Sequence, residues 1–377
     1  MDINEEILKY IDDNRAVMRE LLITLAKIPS PSNHEEKRAE FIKDWLIKEG
    51  AEGVYIDDAL NVVYPVGVTE DNPVTVFMAH TDVVFPDTTE LPLVVEDGMI
   101  KAPGVGDDTA NLVGLLFTAK YIAEKKLKPK SGGMLIVANA GEEGLGNLKG
   151  SREICRVFGK RITEFTSFDG YYGGVCADAV GSKRYRVEIK TEGGHSYGAF
   201  GNRNAIAYLA SMIDSLYTMK VPTGGKTTYN VGLISGGTSV NTIAQQAEML
   251  YEYRSDSREN LAVMDAEFNA CIDYYRAKGV TVNVDVLGER PCNGDIDEEK
   301  KKALVDRAVA INRKYTDKEI MLWPGSTDCN IPLSVGIPAV CYGVVDGGLA
   351  HTREEYVLED SLVPGYKIAF ESVLFYY

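Results

Sequence analysis

Two histidines and several carboxylates stand directly after apolar runs, and side chains of these types gathered at one place would hold metal cations. The run VTVFMA at 74–79 leads into His80 and Asp82, where a carboxylate two residues on can fix the imidazole tautomer and raise its basicity toward a metal. A histidine that merely closes a buried strand is the plainer account of the same segment. GVGDDTANLVGLL places Asp107 and Asp108 between glycines and an apolar helix, and aspartate there is also an ordinary helix cap. MLIVANAGEE ends an apolar run on Glu142 and Glu143, which as a pair could simply sit in solvent. TSFDGYYGG carries Asp169 and GGLAHTREEYV carries His351, and each alone reads as a turn residue. Together they read differently. The chain has four histidines, at 34, 80, 195 and 351, and two of them share this strand-then-loop setting with three carboxylate segments. Imidazole and carboxylate in one pocket suit zinc, and a carboxylate shared between two cations about 3.5–4 Å apart suits metal-assisted hydrolysis.

The elements that would position these residues follow from periodicity. Apolar runs at 74–79 and 134–140 alternate with helical patterns at 108–127 and 147–158, the rhythm of an α/β domain whose sites lie at strand C-terminal ends. From residue 182 the order becomes strand (RYRVEIKTE), helix (202–219), two strands (227–236 and 247–254), helix (258–278) and strand (VTVNVDVLG). That is the order of a ferredoxin-like α+β module. A helix at 296–314, a loop WPGSTDCN, a strand IPAVCYGV and a helix from 359 resume the α/β rhythm. The expectation is an α/β catalytic domain with a central mixed sheet flanked by helices, formed by 1–181 and 289–377 and interrupted by an inserted α+β lid and dimerisation module at 182–288.

Composition narrows the partners. A formal charge of -16, from 40 Lys and Arg against 56 Asp and Glu, lacks the basic stripe that nucleic acid requires. The opening MDINEEILKYIDDNRAVMRELL is acidic and alternates charge with apolar residues, so it reads as an amphipathic helix and not as a secretory leader. No apolar run approaches the roughly 18 residues of a membrane span. Six cysteines without a Cys-x-x-Cys pair point to reduced thiols and a cytoplasmic protein. His34 is expected to lie inertly at a helix start capped by Ser32 or Asn33.

In order, and over essentially the whole length, the five motifs resemble the cocatalytic-zinc exopeptidases and deacylases, the family of peptidase T, carboxypeptidase G and succinyl-diaminopimelate desuccinylase. SFDG, GSTDCNIPLSVGIPAV and HTREEYV are most similar to its tripeptidase branch. The resemblance implies two divalent ions, zinc with cobalt or manganese as alternatives, bridged by Asp107, which a cis peptide joins to Asp108. It implies His80 and Asp169 at one ion, Glu143 and His351 at the other, Glu142 as general base, and Asp82 as the partner of His80. In the inserted module it implies that His195, in GGHSYGAFGNRNAI, stabilises the oxyanion in the partner subunit's site, so that the protein works as a homodimer. Asn241, Arg254 and Thr327 are the implied substrate contacts, although Arg254 on its own would simply pair with Asp256. Where peptidase T has Lys and Gly, this sequence has Thr109 and Asn111, a departure that costs no ligand but bears on substrate choice.

Two ions in such a site lower the pKa of a bridging water from about 15.7 towards 7. Glu142 then needs only to take a proton and return it to the leaving amine. The expected activity is aminotripeptidase-like hydrolysis of small peptides. Its rivals are deacylation of N-acyl amino acids on the same fold and a catalytically silent binding protein.

Overall fold

Every residue of the strand Val74–His80 is buried, as a continuous apolar run in the middle of an α/β sheet must be. Gly133–Asn139 is buried along its whole length for the same reason. The computed structural model describes residues 3–377 and contains an eight-stranded mixed sheet. Its spatial order is Tyr55–Ile56, Val62–Val66, Gly133–Asn139, Val74–His80, Ile162–Phe168, Ala339–Tyr342, Gly174–Ala179 and Met321–Gly325. Val74–His80 runs parallel to both neighbours, with His80 beside Asn139 and Met78 beside Ser167, so the three strands release their loops at one edge of the sheet. Phe77 and Ala79 face an apolar cluster shared with helices Arg15–Lys27, Asn111–Glu124 and Glu359–Leu374. Val74, Val76 and Met78 face a second cluster that includes Ile154 and Leu333. Both faces are therefore covered, and the loops at the edge are where polar side chains can gather.

The chain divides into two compact units, one comprising the residues up to Ala179 together with Gly294–Tyr377, the other Val180–Asn293. In the second unit an antiparallel sheet runs in the order Thr227–Gly236, Gln246–Ser255, Gly181–Lys190, Thr281–Arg290. Helices Ala205–Tyr217 and Arg258–Ala277 share its core through Leu209, Met212, Met264 and Phe268 against Val187, Met249 and Tyr251. This is the ferredoxin-like arrangement.

Several local expectations need correcting. The acidic opening forms two helices, Glu5–Asp13 and Arg15–Lys27, because Asn14 turns its amide and backbone N–H onto Tyr10 O; residues 1 and 2 lie outside the described residues. Ser32 does not cap the following helix Glu36–Lys48, whose N-terminal residue Glu35 makes no side-chain cap bond. Its hydroxyl donates instead to Asp82 Oδ2 at 2.6 Å. The helix expected at 147–158 begins at Lys149, since Asn147 and Leu148 adopt φ of 53° and 60°. The segment WPG, expected in a loop, belongs to the parallel edge strand Met321–Gly325, where Pro324 coincides with a register shift. No helix among the described residues is long and apolar enough to cross a membrane, and all six cysteines are free.

Candidate active site

The loops at the sheet edge bring five of the expected residues together. His80 Nε2 lies 3.0 Å from Asp107 Oδ1 and 3.9 Å from Asp169 Oδ1. His351 Nε2 lies 2.9 Å from Glu143 Oε1 and 3.2 Å from Asp107 Oδ2. The two oxygens of Asp107 thus face two different imidazoles. Asp107 and Asp108 are joined by a cis peptide. His351 itself adopts φ of 64°, a conformation that non-glycine residues take only when their surroundings impose it.

Asp82 lies beside His80 and also takes on a second task. Its backbone oxygen is the nearer partner of His80 Nδ1, at 3.0 Å against 3.5 Å for the carboxylate. The carboxylate also accepts the backbone N–H of Glu142 and of Glu143, both at 3.0 Å, besides the Ser32 hydroxyl. It therefore fixes the loop that carries both glutamates. Glu142 is buried, 5% exposed, beside the gathered ligands' loop neighbour Glu143.

Burial and like charge set the electrostatics. Burial, with Asp107 next, pushes Asp169 up to about 8, and burial also raises Asp108 well above the carboxylate range. Against the burial penalty, His351 and His80 hold Asp107 below its ordinary value. Hydrogen bonds to Asp107 and then Glu143 push His351 up to about 11. Asp108 Oδ2 accepts His80 N at 2.8 Å, while its buried Oδ1 has no hydrogen-bond partner. These features fit cations. His80, Asp107 and Glu143, and again His80, Asp108 and Asp169, offer donor atoms within 4.8 Å of one another. Zinc bonds of about 2.0–2.1 Å would set neighbouring ligand atoms about 3.3 Å apart in a tetrahedron. The observed donor separations of 2.9, 3.0, 3.2 and 3.9 Å bracket that spacing. A pocket rich in carboxylate and poor in positive charge gains most from divalent ions.

Residues that sequence reasoning did not single out hold this arrangement. The buried Glu355 carboxylate accepts N–H groups from Gly104, Gly106 and Asp107 at 2.8–2.9 Å, and burial pushes it up to about 7. Gly104 opens the same loop at φ of 71°, where a Cβ would meet Val83 Cγ1 at 2.2 Å. Arg38, fully buried, donates to Thr81 O, Thr109 Oγ1 and Ile28 O, and burial lowers it to about 10. Thr109 and Asn111 are fully buried and bind backbone atoms, so the departure at these positions lies in the scaffold of the loop. The sequence signal for Glu355 is its place in HTREEYV, directly before the strand Tyr356–Leu358.

In the second unit, His195 is exposed, and its Nδ1 accepts backbone N–H groups of Tyr197 and Gly198 at 3.3 and 3.2 Å. That leaves the proton of a neutral ring on Nε2. The short pairing of Gly194–His195 with Thr242–Ile243 brings the segment of Asn241 alongside. Arg254 does not pair with Asp256: its guanidinium forks onto Glu252, with both contacts at 3.0 Å, because Glu252 shares its face of the strand Gln246–Ser255, whereas Asp256 lies past the strand's end and accepts Lys226 N at 2.9 Å. In the first unit, Thr327 Oγ1 accepts Cys329 N at 3.2 Å, and the hydroxyl keeps its own proton to donate.

Similarity to known proteins agrees with this geometry. The family model described as Peptidase family M20/M25/M40 matches residues 76–374. The protein YqjE of Bacillus subtilis (strain 168), itself uncharacterised, is 26% identical over 93% of this chain and 95% of its own length. A putative succinyl-diaminopimelate desuccinylase of Mycobacterium tuberculosis (strain CDC 1551 / Oshkosh) is 26% identical over 90% of this chain and 92% of its own. Among solved structures, a tripeptidase (SAV1512) of Staphylococcus aureus subsp. aureus mu50 superposes with a TM-score of 0.75 at 22% identity, covering 96% of this chain and 98% of that one.

Replacing Glu355 by Gln keeps the shape but sets an amide N–H against backbone N–H groups. Hydrogen bonds to a charged group are worth about 1.5–3 kcal/mol each, so the expected loss is about 2 kcal/mol in urea unfolding of Glu355→Gln. An unchanged midpoint and slope would contradict the anchoring role.

Proposed function

The chain belongs to peptidase family M20/M25/M40 and is a metallopeptidase, and from that premise we propose an aminotripeptidase-like exopeptidase that releases the N-terminal residue of small peptides on two divalent cations, zinc first. The observation that carries this reading is the Asp107 carboxylate, with Oδ1 at 3.0 Å from His80 and Oδ2 at 3.2 Å from His351. One carboxylate between two imidazoles is what a pair of cations sharing a ligand requires. In this proposal His80 and Asp169 complete one cation's set, and Glu143 and His351 the other's.

Bound cations would supply Lewis acidity, lowering the pKa of a water towards about 7 and polarising the scissile carbonyl. Glu142 takes the proton of the attacking water and delivers it to the departing amine nitrogen. Asp82 keeps Glu142 in place through the backbone N–H it accepts. His195, protonated on Nε2, donates to the developing oxyanion in the partner subunit's site. Arg254 grips the terminal carboxylate of the substrate with the fork it now shares with Glu252. Asn241 and Thr327 complete the substrate contacts.

A homodimer belongs to the same proposal. The edge strand Thr227–Gly236 is largely exposed and leaves Leu233 and Ile234 at 47% and 64% exposure, which suits isologous strand pairing. Light scattering should return twice the 41.4 kDa chain mass, and a monomer at micromolar concentration would count against it. A cytoplasmic location, in which six free thiols stay reduced, is proposed as well.

A second reading, deacylation of N-acyl amino acids, is supported by the relative named as a putative desuccinylase. A panel of tripeptides and N-acyl amino acids, digested by metal-reconstituted enzyme and read by mass spectrometry, separates the two. Free N-terminal amino acids from the tripeptides are expected, and cleavage of the N-acyl set alone would replace the peptidase reading. Glu142→Ala in the same assay should keep its metal and turn over hundreds-fold more slowly, a barrier increase of about 3–4 kcal/mol; parental turnover would refute its role as base.

A further inference from the structure

Asn111 opens the helix Asn111–Glu124 directly after the loop of Asp107 and Asp108, and none of its side chain reaches solvent. Its Nδ2 donates to Gly106 O at 3.1 Å and to Gly170 O at 2.9 Å, and its Oδ1 accepts Val344 N at 2.6 Å. Each partner has a meaning for the site. Gly106 immediately precedes Asp107, and Gly170 immediately follows Asp169. Val344 lies two residues beyond Tyr342, whose carbonyl accepts Asp169 N at 3.1 Å. The three segments also pack too closely for slack, since a Cβ on Gly343 would sit 2.3 Å from Gly170 O.

We propose that Asn111 is a positioning residue that sets the separation of Asp107 from Asp169 by binding the backbone beside each of them with one amide. The inference rests on the cation-binding reading of these carboxylates given above. Only a short planar amide offers two donors and one acceptor in this geometry. Aspartate lacks the donors, and an apolar side chain leaves three buried backbone groups without partners, which a packed interior does not tolerate freely. With Glu355 accepting the N–H of Asp107 from the other side, the loop is held on both flanks. Removing Asn111 frees the flank that faces Asp169.

The test compares Asn111→Ser and Asn111→Ala with the parent after loading with cobalt(II), and uses Thr118→Val as a control. Thr118 is buried in the same helix and bonds only to Gly114 O, so its loss reports general destabilisation. Visible d–d spectra and chelator competition are measured alongside urea unfolding, kcat and KM. Asn111→Ser should bind at least one cobalt ion tenfold or more weakly, change the d–d bands, and lose kcat with little change in KM, while Thr118→Val keeps the parental spectrum. Parental affinities and spectrum in Asn111→Ser would overturn the proposal. So would failure of both Asn111 variants to fold while Thr118→Val folds, because the residue would then be structural only. A parent that takes up no cobalt would instead remove the proposed function, and this inference with it.

Discussion

Carboxylates crowded into a buried cleft with too little positive charge are the condition that the rest of this structure answers. Asp82, Asp108, Glu142 and Glu143 are buried, and Asp107 and Asp169 keep only 15% and 16% of their side chains exposed. Two like charges 4 Å apart repel by about 4 kcal/mol even at an effective dielectric of 20. Two imidazoles cannot offset that for the whole group. The direction of the titration shifts says the same: Asp169 and Asp108 are raised by burial, while Asp107, flanked by both imidazoles, is lowered. The cleft is shaped for added positive charge, and its donor spacing matches divalent ions.

Holding such a cleft together falls to neutral backbone groups and distant side chains. Asp82 is tied by two N–H groups of the glutamate loop, Glu355 by three N–H groups of the Asp107 loop. Arg38 bonds to Thr81 O and Thr109 Oγ1, and so joins the loop after His80 to the loop of Asp107. These contacts stand on the ends of three adjacent parallel strands whose register is fixed by apolar residues on both faces. The rigidity of the sheet is what lets loop residues meet within hydrogen-bond distances.

Much of this was legible in the residues because apolar runs ending in charged loops report both a buried strand and its exposed end. His80, Glu143 and Asp169 were found that way, and the alternation of the inserted module revealed its helix and strand order. Local signals failed where the partner is remote. Ser32 looked like a cap for its own helix, yet its bond is to Asp82, fifty positions away. Glu355, Arg38 and Asn111 resemble surface, helix-face and helix-start residues, and only folding shows that their partners, backbone atoms and the Thr109 hydroxyl, lie under the site. Arg254 pairs with Glu252 and not with Asp256, although each stands two positions away, because the strand ends at Ser255 and only Glu252 lies on its face beside Arg254. The strands Gly174–Ala179 and Met321–Gly325 escaped notice because the first is short and mixed in polarity and the second contains proline.

The proposed function stands or falls with one carboxylate, Asp107, serving two cations. Anomalous diffraction from crystals of the zinc-loaded protein tests it most directly. Two peaks about 3.5–4 Å apart are expected, both within bonding distance of Asp107, one beside His80 and Asp169 and the other beside Glu143 and His351. A single peak, or peaks that do not share Asp107, would contradict it.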